Sequence, residues 1–366
     1  MKKKIAVLPG DGVGKEVIAE AIKVLNTIAS LYDHSFVYDY GLIGAAAMDE
    51  TGDPFPKETE NLCRKSHAVL FGAIGDPKYD RDLSAKVRPE QGLLRMRASL
   101  GLYANMRPIK SYEPIYDNSP LKNDRVKGVD FVVFRELTSG IYFGKPRGRA
   151  EDGSEAYDTC IYTREEILRV SEMAFQAAQK RKGKITVVDK ANIMATSRLW
   201  REVVKELNKE YADVKVEFMF VDNAAMNIIT NPSQFDVILT ENLFGDILTD
   251  EASVIAGSLG LLPSASFGEE SKLFEPIHGA YPQMAGKNRA NPIAAILSAA
   301  LMLEHALNAP MEADLIREAV LASMEKGIVT EDINPKKNSS TREVGDFVSE
   351  YLTSRYIDDP NPMTII

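Results

Sequence analysis

Residues 240–250 read Thr-Glu-Asn-Leu-Phe-Gly-Asp-Ile-Leu-Thr-Asp (TENLFGDILTD) and follow the apolar run Phe235-Asp-Val-Ile-Leu239. A short apolar run before a polar break predicts a buried strand, and Leu243 onward predicts a helix reaching about Gly257. On that helix Asp246 and Asp250 stand four apart, so both carboxylates project from one face, one above the other. Like charges at this spacing cost a bare helix roughly 0.2–0.5 kcal/mol, which a cation would offset. Two readings stand: a divalent metal held by the pair, or a solvated acidic face. Position favours the metal, because open α/β sheets bind ligands just past the carboxyl ends of their strands.

Working outward, strand and helix alternate over most of the chain, which predicts an α/β fold. Its 366 residues suggest two domains. A net charge of −9 argues against a general nucleic-acid surface. The two cysteines, Cys63 and Cys160, are too few for a disulfide framework and have no zinc-like spacing. Met1-Lys-Lys-Lys4 starts like a signal peptide, but the following apolar run stops at Pro9-Gly10, and Ile293 to Leu303 is too short to span a bilayer. The expectation is a cytoplasmic protein without membrane attachment.

Lys4 to Leu8 predicts a strand, then a glycine turn through Gly14 and a helix from Lys15 to about Leu31. That turn matches neither phosphate motif. A P-loop requires glycine where Pro9 stands and Ser or Thr where Glu16 stands; the dinucleotide fingerprint requires glycine at Lys15. Gly75 to Val87 reads as a polar loop. The helix opened by Pro89 then carries Glu90, Leu93, Leu94 and Arg97 in one stripe, a guanidinium beside a small apolar patch. Either the apolar side packs into the core, or the patch receives an aliphatic group while Arg97 takes a carboxylate.

Arg107 lies on the Tyr103–Pro108 strand and Arg135 ends the run from Val129, which together suggest an anion site. Leu137 to Gly148 is turn-rich and aromatic, Tyr157 to Thr163 reads as a strand, and the two could form a hairpin arm. Lys190 follows the strand Lys184–Val188, where it is either a snorkelling surface lysine or a base, and Asp189-Lys190-Ala-Asn192 is expected to open a helix. The strand Val214–Val221 delivers Asp222 at its end. His278 lies in a Pro/Gly-rich loop next to Gly279, which would allow close approach of a ligand to the backbone.

These segments form a series: LPGDGVG, RPEQGLLRMR, ANMRP, RELTSGIYFG, VDKAN, VDNAAM, ENLFGDILTDEAS, GSLGLLPSAS, FEPIHG and ANPIAAILSAALMLEH. In that order, from about residue 4 to residue 307, the chain closely resembles the 3-isopropylmalate dehydrogenases, members of the decarboxylating β-hydroxyacid dehydrogenases. The resemblance implies a two-domain α/β fold that is not a Rossmann fold. Residues 1–102 with 255–366 would form a cofactor-binding domain. Residues 103–254 would form a second domain carrying the metal and substrate residues, the dimer interface and an interlocking arm at 141–163.

The implied reaction is oxidation of (2R,3S)-3-isopropylmalate by NAD with loss of CO2, giving 4-methyl-2-oxopentanoate, the third step of leucine biosynthesis. Arg97, Arg107 and Arg135 would hold the malate carboxylates, with Asp222 also near the substrate. Tyr142 and Lys190 would be the acid–base pair. Asp222, Asp246 and Asp250 would bind Mg²⁺ or Mn²⁺, as an all-oxygen donor set suits a hard cation. Lys190 and Asp222 would act in the partner subunit's site of a homodimer. Glu90, Leu93 and Leu94 would choose the substrate by giving the isopropyl group a dry pocket.

The cofactor would lie along Glu275, His278, Gly279, Ala280, Tyr281, Pro282, Gln283, Met284, Ala285, Gly286, Lys287, Asn288, Arg289, Ala290 and Asn291. Gln283-Met284 departs from the family's frequent Asp-Ile there; NAD remains expected because the Lys-Tyr pair of NADP-dependent relatives is also absent. Ser139 replaces a usual glycine and Ala195 a frequent Glu, and neither removes a catalytic group. The competing expectations are a homologous enzyme acting on isocitrate, homoisocitrate or tartrate, and a metal-dependent hydrolase, against which the failed P-loop spacing counts.

Overall fold

The structure is a computed structural model and describes residues 1–79 and 87–358, so part of the loop expected at Gly75–Val87 lies outside the described residues. In chain order the strands and α-helices are β1 (Lys2–Gly10), α1 (Gly14–Leu31), β2 (Ser35–Tyr40), α2 (Gly44–Thr51), α3 (Lys57–Arg64), β3 (Ala68–Ala73), α4 (Pro89–Ser99) and β4 (Ala104–Lys110). There follow α5 (Asn123–Val126), β5 (Asp130–Glu136), β6 (Gly148–Arg149), β7 (Ala156–Tyr157), α6 (Arg164–Gln179), β8 (Lys184–Asp189), α7 (Ala195–Leu207), β9 (Lys215–Phe220), α8 (Val221–Thr230), β10 (Val237–Thr240) and α9 (Asn242–Ser253). The last elements are β11 (Pro263–Phe267), β12 (Lys272–Pro276), α10 (Ile293–His305), α11 (Pro310–Glu325) and α12 (Thr341–Asp358).

Two compact units divide the chain, residues 1–100 with 258–366 and residues 101–257, against expected boundaries at 102/103 and 254/255. In the first unit the strands run β2-β1-β3-β12-β11. All neighbours are parallel except β11 and β12. β3, AVLFGA, is buried at every position, as a strand covered on both faces must be. Helix α10 is buried from Ile293 to Leu303 and packs against α1, α11 and strands β11 and β12. Each fully buried Leu or Ile in it contributes about 1.5–3 kcal/mol, so it is the core helix of this unit.

In the second unit the order is β4-β5-β10-β8-β9. The β4–β5 pair is antiparallel and sets Asn105 opposite Arg135; the others are parallel. One antiparallel neighbour in each set departs from an all-parallel doubly wound sheet, in keeping with the missing GxGxxG.

Two expected elements differ. The Tyr157–Thr163 strand shrinks to β7, a two-residue ladder with β6. Beyond it Tyr162 is buried, with its hydroxyl bonded to Glu241 and Asn242, which draws the chain away from further pairing. Lys190 opens a turn rather than a helix, because its carbonyl accepts from both Ile193 and Met194 while Asp189 Oδ1 accepts from the Ala191 amide. Asp222 lies directly past β9, as expected, in the first turn of α8.

Candidate active site

Helix α9 starts where Glu241 caps it, the carboxylate accepting from the Phe244 amide at 3.0 Å. Asn242, Gly245, Asp246 and Thr249 recur at i, i+3, i+4 and i+7 and so share one face. Arg135, 4% exposed on β5, lies along that face. Its Nε and Nη2 donate to Asn242 Oδ1 at 3.1 and 2.8 Å, and its Nη1 donates to Asp246 Oδ1 at 2.5 Å. Glycine is required at 245: an added Cβ would meet Arg135 Cγ at 2.6 Å.

One turn further on, Arg107 of β4 donates from Nη1 to Thr249 Oγ1 at 2.7 Å and to Asp250 Oδ1 at 3.2 Å, while its Nε donates to Asn105 Oδ1 at 2.9 Å. The acidic face is therefore neither bare nor merely solvated. Each aspartate already carries a guanidinium, which offsets the i,i+4 repulsion.

Tyr142 ends a single 3-10 turn, Gly140–Tyr142, and its hydroxyl donates to Asp246 Oδ2 at 2.8 Å. Its ring lies 5.9 Å from the Arg135 guanidinium. Burial, then the hydrogen bond to Asp246 and that carboxylate's charge, raise the phenol's pKa above 10, with Arg135 opposing. The phenol is therefore protonated at neutral pH. The loop before it is anchored by Glu136, which is fully buried and accepts from the Thr138 amide and hydroxyl and the Ser139 amide at 2.8, 2.6 and 2.9 Å.

Lys190 and Asp222 form a separate pair in the same unit, with Nζ to Oδ1 at 2.5 Å. That hydrogen bond lowers the Asp222 pKa. The lysine backbone is fixed on both sides. Its amide donates to Ser197 Oγ at 3.0 Å, and the preceding Asp189 is gripped by the Arg201 fork at 2.6 and 3.0 Å.

The structure thus gathers Arg107, Arg135, Tyr142, Asp246 and Asp250, and keeps Lys190 with Asp222. Among the described residues, no group of three or more His, Cys, Asp or Glu side chains is placed to hold a metal ion within one chain. The donor chemistry nonetheless fits Mg²⁺ or Mn²⁺. The aspartates are carboxylates alone, and Asp250 and Asp222 are 76% and 63% exposed at the side chain.

In the first unit, Arg97 donates to Glu275 Oε1 at 3.0 Å. The core side of α4 is Pro89, Gly92 and Met96, whereas Glu90 is exposed, Leu93 half-buried and Leu94 48% exposed. An amphipathic surface helix would have turned those leucines inward.

The segment from His278 to Asn291 is a loop tied down at several points. Ala280 O accepts from the Val13 amide at 2.8 Å, the Asn288 amide donates to Glu16 at 3.0 Å, and Asn291 donates to Asp332 at 3.0 Å. Arg289 pairs with Glu331. Tyr281 and Asn288 have φ of 40° and 56°, an unfavourable conformation for residues with a Cβ. Gln283 is exposed and Met284 buried.

His278 hydrogen-bonds Gly279 O through Nδ1, and its buried Nε2 has no partner. Burial lowers its pKa and keeps the ring neutral. No atom lies near where a Gly279 Cβ would be. An orphaned buried nitrogen beside open backbone suits the polar edge of a bound cofactor such as NAD.

Sequence reasoning missed Asn242, Thr249 and Asn105. The first two were legible, because they share the face of Asp246 at helical spacing. Asn105 required the β4–β5 register.

The sequence profile described as isocitrate/isopropylmalate dehydrogenase matches residues 4–348. The chain is 55% identical to the 3-isopropylmalate dehydrogenase of Geobacillus kaustophilus over 335 residues, covering 91% of this chain and 90% of that one. It is 49% identical to the 3-isopropylmalate dehydrogenase of Bacteroides fragilis over 354 residues, 96% of this chain and 99% of that one. Among solved structures, isocitrate dehydrogenase from Methylococcus capsulatus superposes with a TM-score of 0.85 at 33% identity, covering 96% and 99% of the two chains. The chain belongs to the isocitrate/isopropylmalate dehydrogenase family.

Proposed function

We propose that this chain oxidises (2R,3S)-3-isopropylmalate with NAD and releases CO2, forming 4-methyl-2-oxopentanoate in leucine biosynthesis. The observation that carries the reading is the cluster in which a protonated Tyr142 and the buried Arg135 share the carboxylate of Asp246. It sets a proton donor and an anion anchor each within hydrogen-bonding distance of one cation ligand. The names of relatives at 49–55% identity supply the substrate.

Arg107 and Arg135, with Arg97, hold the carboxylates of the malate. Mg²⁺ or Mn²⁺, held by Asp222, Asp246 and Asp250, would supply Lewis-acid polarisation of the substrate's oxygens, and NAD, held along the His278–Asn291 loop, would supply the hydride acceptor. Lys190 is the base that takes the hydroxyl proton as the hydride leaves. The resulting β-keto acid loses CO2, the C–C electrons stay on carbon, and Tyr142 delivers its proton there.

The catalytic set is completed by a second copy of the chain, whose Lys190 and Asp222 join Tyr142, Asp246 and Asp250. Two observations support this. Among the described residues Asp222 does not join Asp246 and Asp250 in a metal-holding group within one chain, and Met226 of α8 and Ile247 of α9 are 60% and 59% exposed on the helices that carry Asp222 and Asp246. The enzyme is a cytoplasmic homodimer in this reading. The exposed Leu94 and half-buried Leu93 favour an isopropyl group over the extra carboxylate of isocitrate.

The test is kcat/KM for 3-isopropylmalate, isocitrate, homoisocitrate and tartrate, each with Mn²⁺ and with NAD or NADP. The proposal requires 3-isopropylmalate with NAD to lead, and a lead for any other acid refutes it.

A further inference from the structure

The Asn242 side chain is 1% exposed and makes three hydrogen bonds that the reaction scheme does not use. Its Oδ1 accepts from Arg135 Nε and Nη2, and its Nδ2 donates to the Ser139 carbonyl at 3.2 Å. The orientation of the amide is set by chemistry: a guanidinium only donates, so the oxygen must face Arg135 and the nitrogen the carbonyl. Ser139 immediately precedes the turn that ends in Tyr142. One buried amide therefore bridges the anion-binding arginine to the loop carrying the proton donor. Its own backbone amide donates to Tyr162 OH at 2.9 Å, which fixes the amide in place.

We infer that Asn242 is a positioning residue, holding Arg135 and Tyr142 in register with each other through a neutral acceptor. Neutrality is the important property. Arg135 already donates to one carboxylate, Asp246. A second carboxylate along its other edge would cancel the positive charge available to a substrate anion. An amide satisfies two donors of the buried guanidinium and leaves that charge in place. The inference rests on the dehydrogenase reading, in which Arg135 holds substrate and Tyr142 donates a proton.

The experiment compares Asn242→Asp and Asn242→Ala with wild type in steady-state kinetics, in calorimetric binding of 3-isopropylmalate with Mn²⁺, and in thermal melting. Asn242→Asp keeps shape and both acceptor contacts but adds charge and loses the Ser139 donor. We expect its KM and Kd to rise roughly ten- to a hundredfold, the worth of one charge-assisted hydrogen bond. Asn242→Ala, which releases the Tyr142 loop and leaves Arg135 underbonded, is expected to lose roughly tenfold or more in kcat as well.

A merely structural role gives lower melting temperatures with kcat, KM and Kd of the folded enzyme unchanged, and overturns the inference. So does failure of both variants to fold. Wild-type enzyme that neither binds nor oxidises 3-isopropylmalate overturns the underlying function instead.

Discussion

The Tyr142 hydroxyl donates to Asp246 Oδ2 at 2.8 Å, from a single turn of 3-10 helix to the second turn of α9. The contact ties the proposed proton donor to the proposed metal ligand. Burial, and then this contact, raise the phenol's pKa, so Tyr142 keeps its proton throughout the neutral range. Replacing it with Phe removes the donor without opening a cavity. We expect Tyr142→Phe to lose roughly 10²–10⁴-fold in kcat, the range for a positioned acid, with an unchanged melting temperature. Full activity in the variant would exclude Tyr142 as the acid.

The proposed sharing of the site between subunits makes a specific demand on mixtures. Tyr142→Phe and Lys190→Met chains are each expected to be nearly inactive as homodimers. In a mixed dimer one site lacks both groups and the other has both. Random reassociation makes half the dimers mixed, each with one intact site of two, so about a quarter of wild-type activity should return. No recovery after verified subunit exchange would place Tyr142 and Lys190 in a site within one chain.

The leucines of α4 should affect substrate choice more than stability, because Leu94 is 48% exposed in this chain. Leu94→Ala and Leu93→Ala are each expected to raise KM for 3-isopropylmalate by roughly ten- to a hundredfold if the isopropyl group buries them, at about 1.5–3 kcal/mol per side chain. Their thermal midpoints should change little. Unchanged KM with a sharp loss of stability would return these residues to the core.

His278 predicts an acid sensitivity. Its folded pKa is depressed by burial below the ordinary value of about 6.5. A group depressed on folding contributes stability that is complete above the unfolded pKa and lost as pH falls toward the folded one. Between about pH 7 and pH 5 the wild type should therefore lose more thermal stability than His278→Asn. Parallel pH–melting curves for the two proteins would contradict the buried, neutral ring. Cofactor occupancy should reduce the difference, because a partner for Nε2 changes the environment that depresses the pKa.

Much of this architecture was legible in local patterns. Ile293–Leu303 is apolar all round and is the buried helix of the first unit. The Asp246–Asp250 spacing gave the acidic face of α9. Two of the failures originate in long-range contacts, and one in a local turn. Tyr162 departs from strand geometry because its hydroxyl finds Glu241 and Asn242, about eighty positions later in the chain. Lys190 precedes a turn and not a helix, because the Asp189 side chain, held by Arg201, caps the local backbone first. Asn105 enters the site only through the register that sets it opposite Arg135. No pattern within ten residues encodes the Tyr162 and Asn105 pairings.

The most direct test of the account follows reduced nicotinamide and released CO2 together, from purified protein supplied with Mn²⁺, NAD and 3-isopropylmalate. The account predicts equal amounts of the two and none of either when Mn²⁺ is withheld. NAD reduction without CO2, or no reduction with this substrate under any metal and cofactor combination, would contradict it.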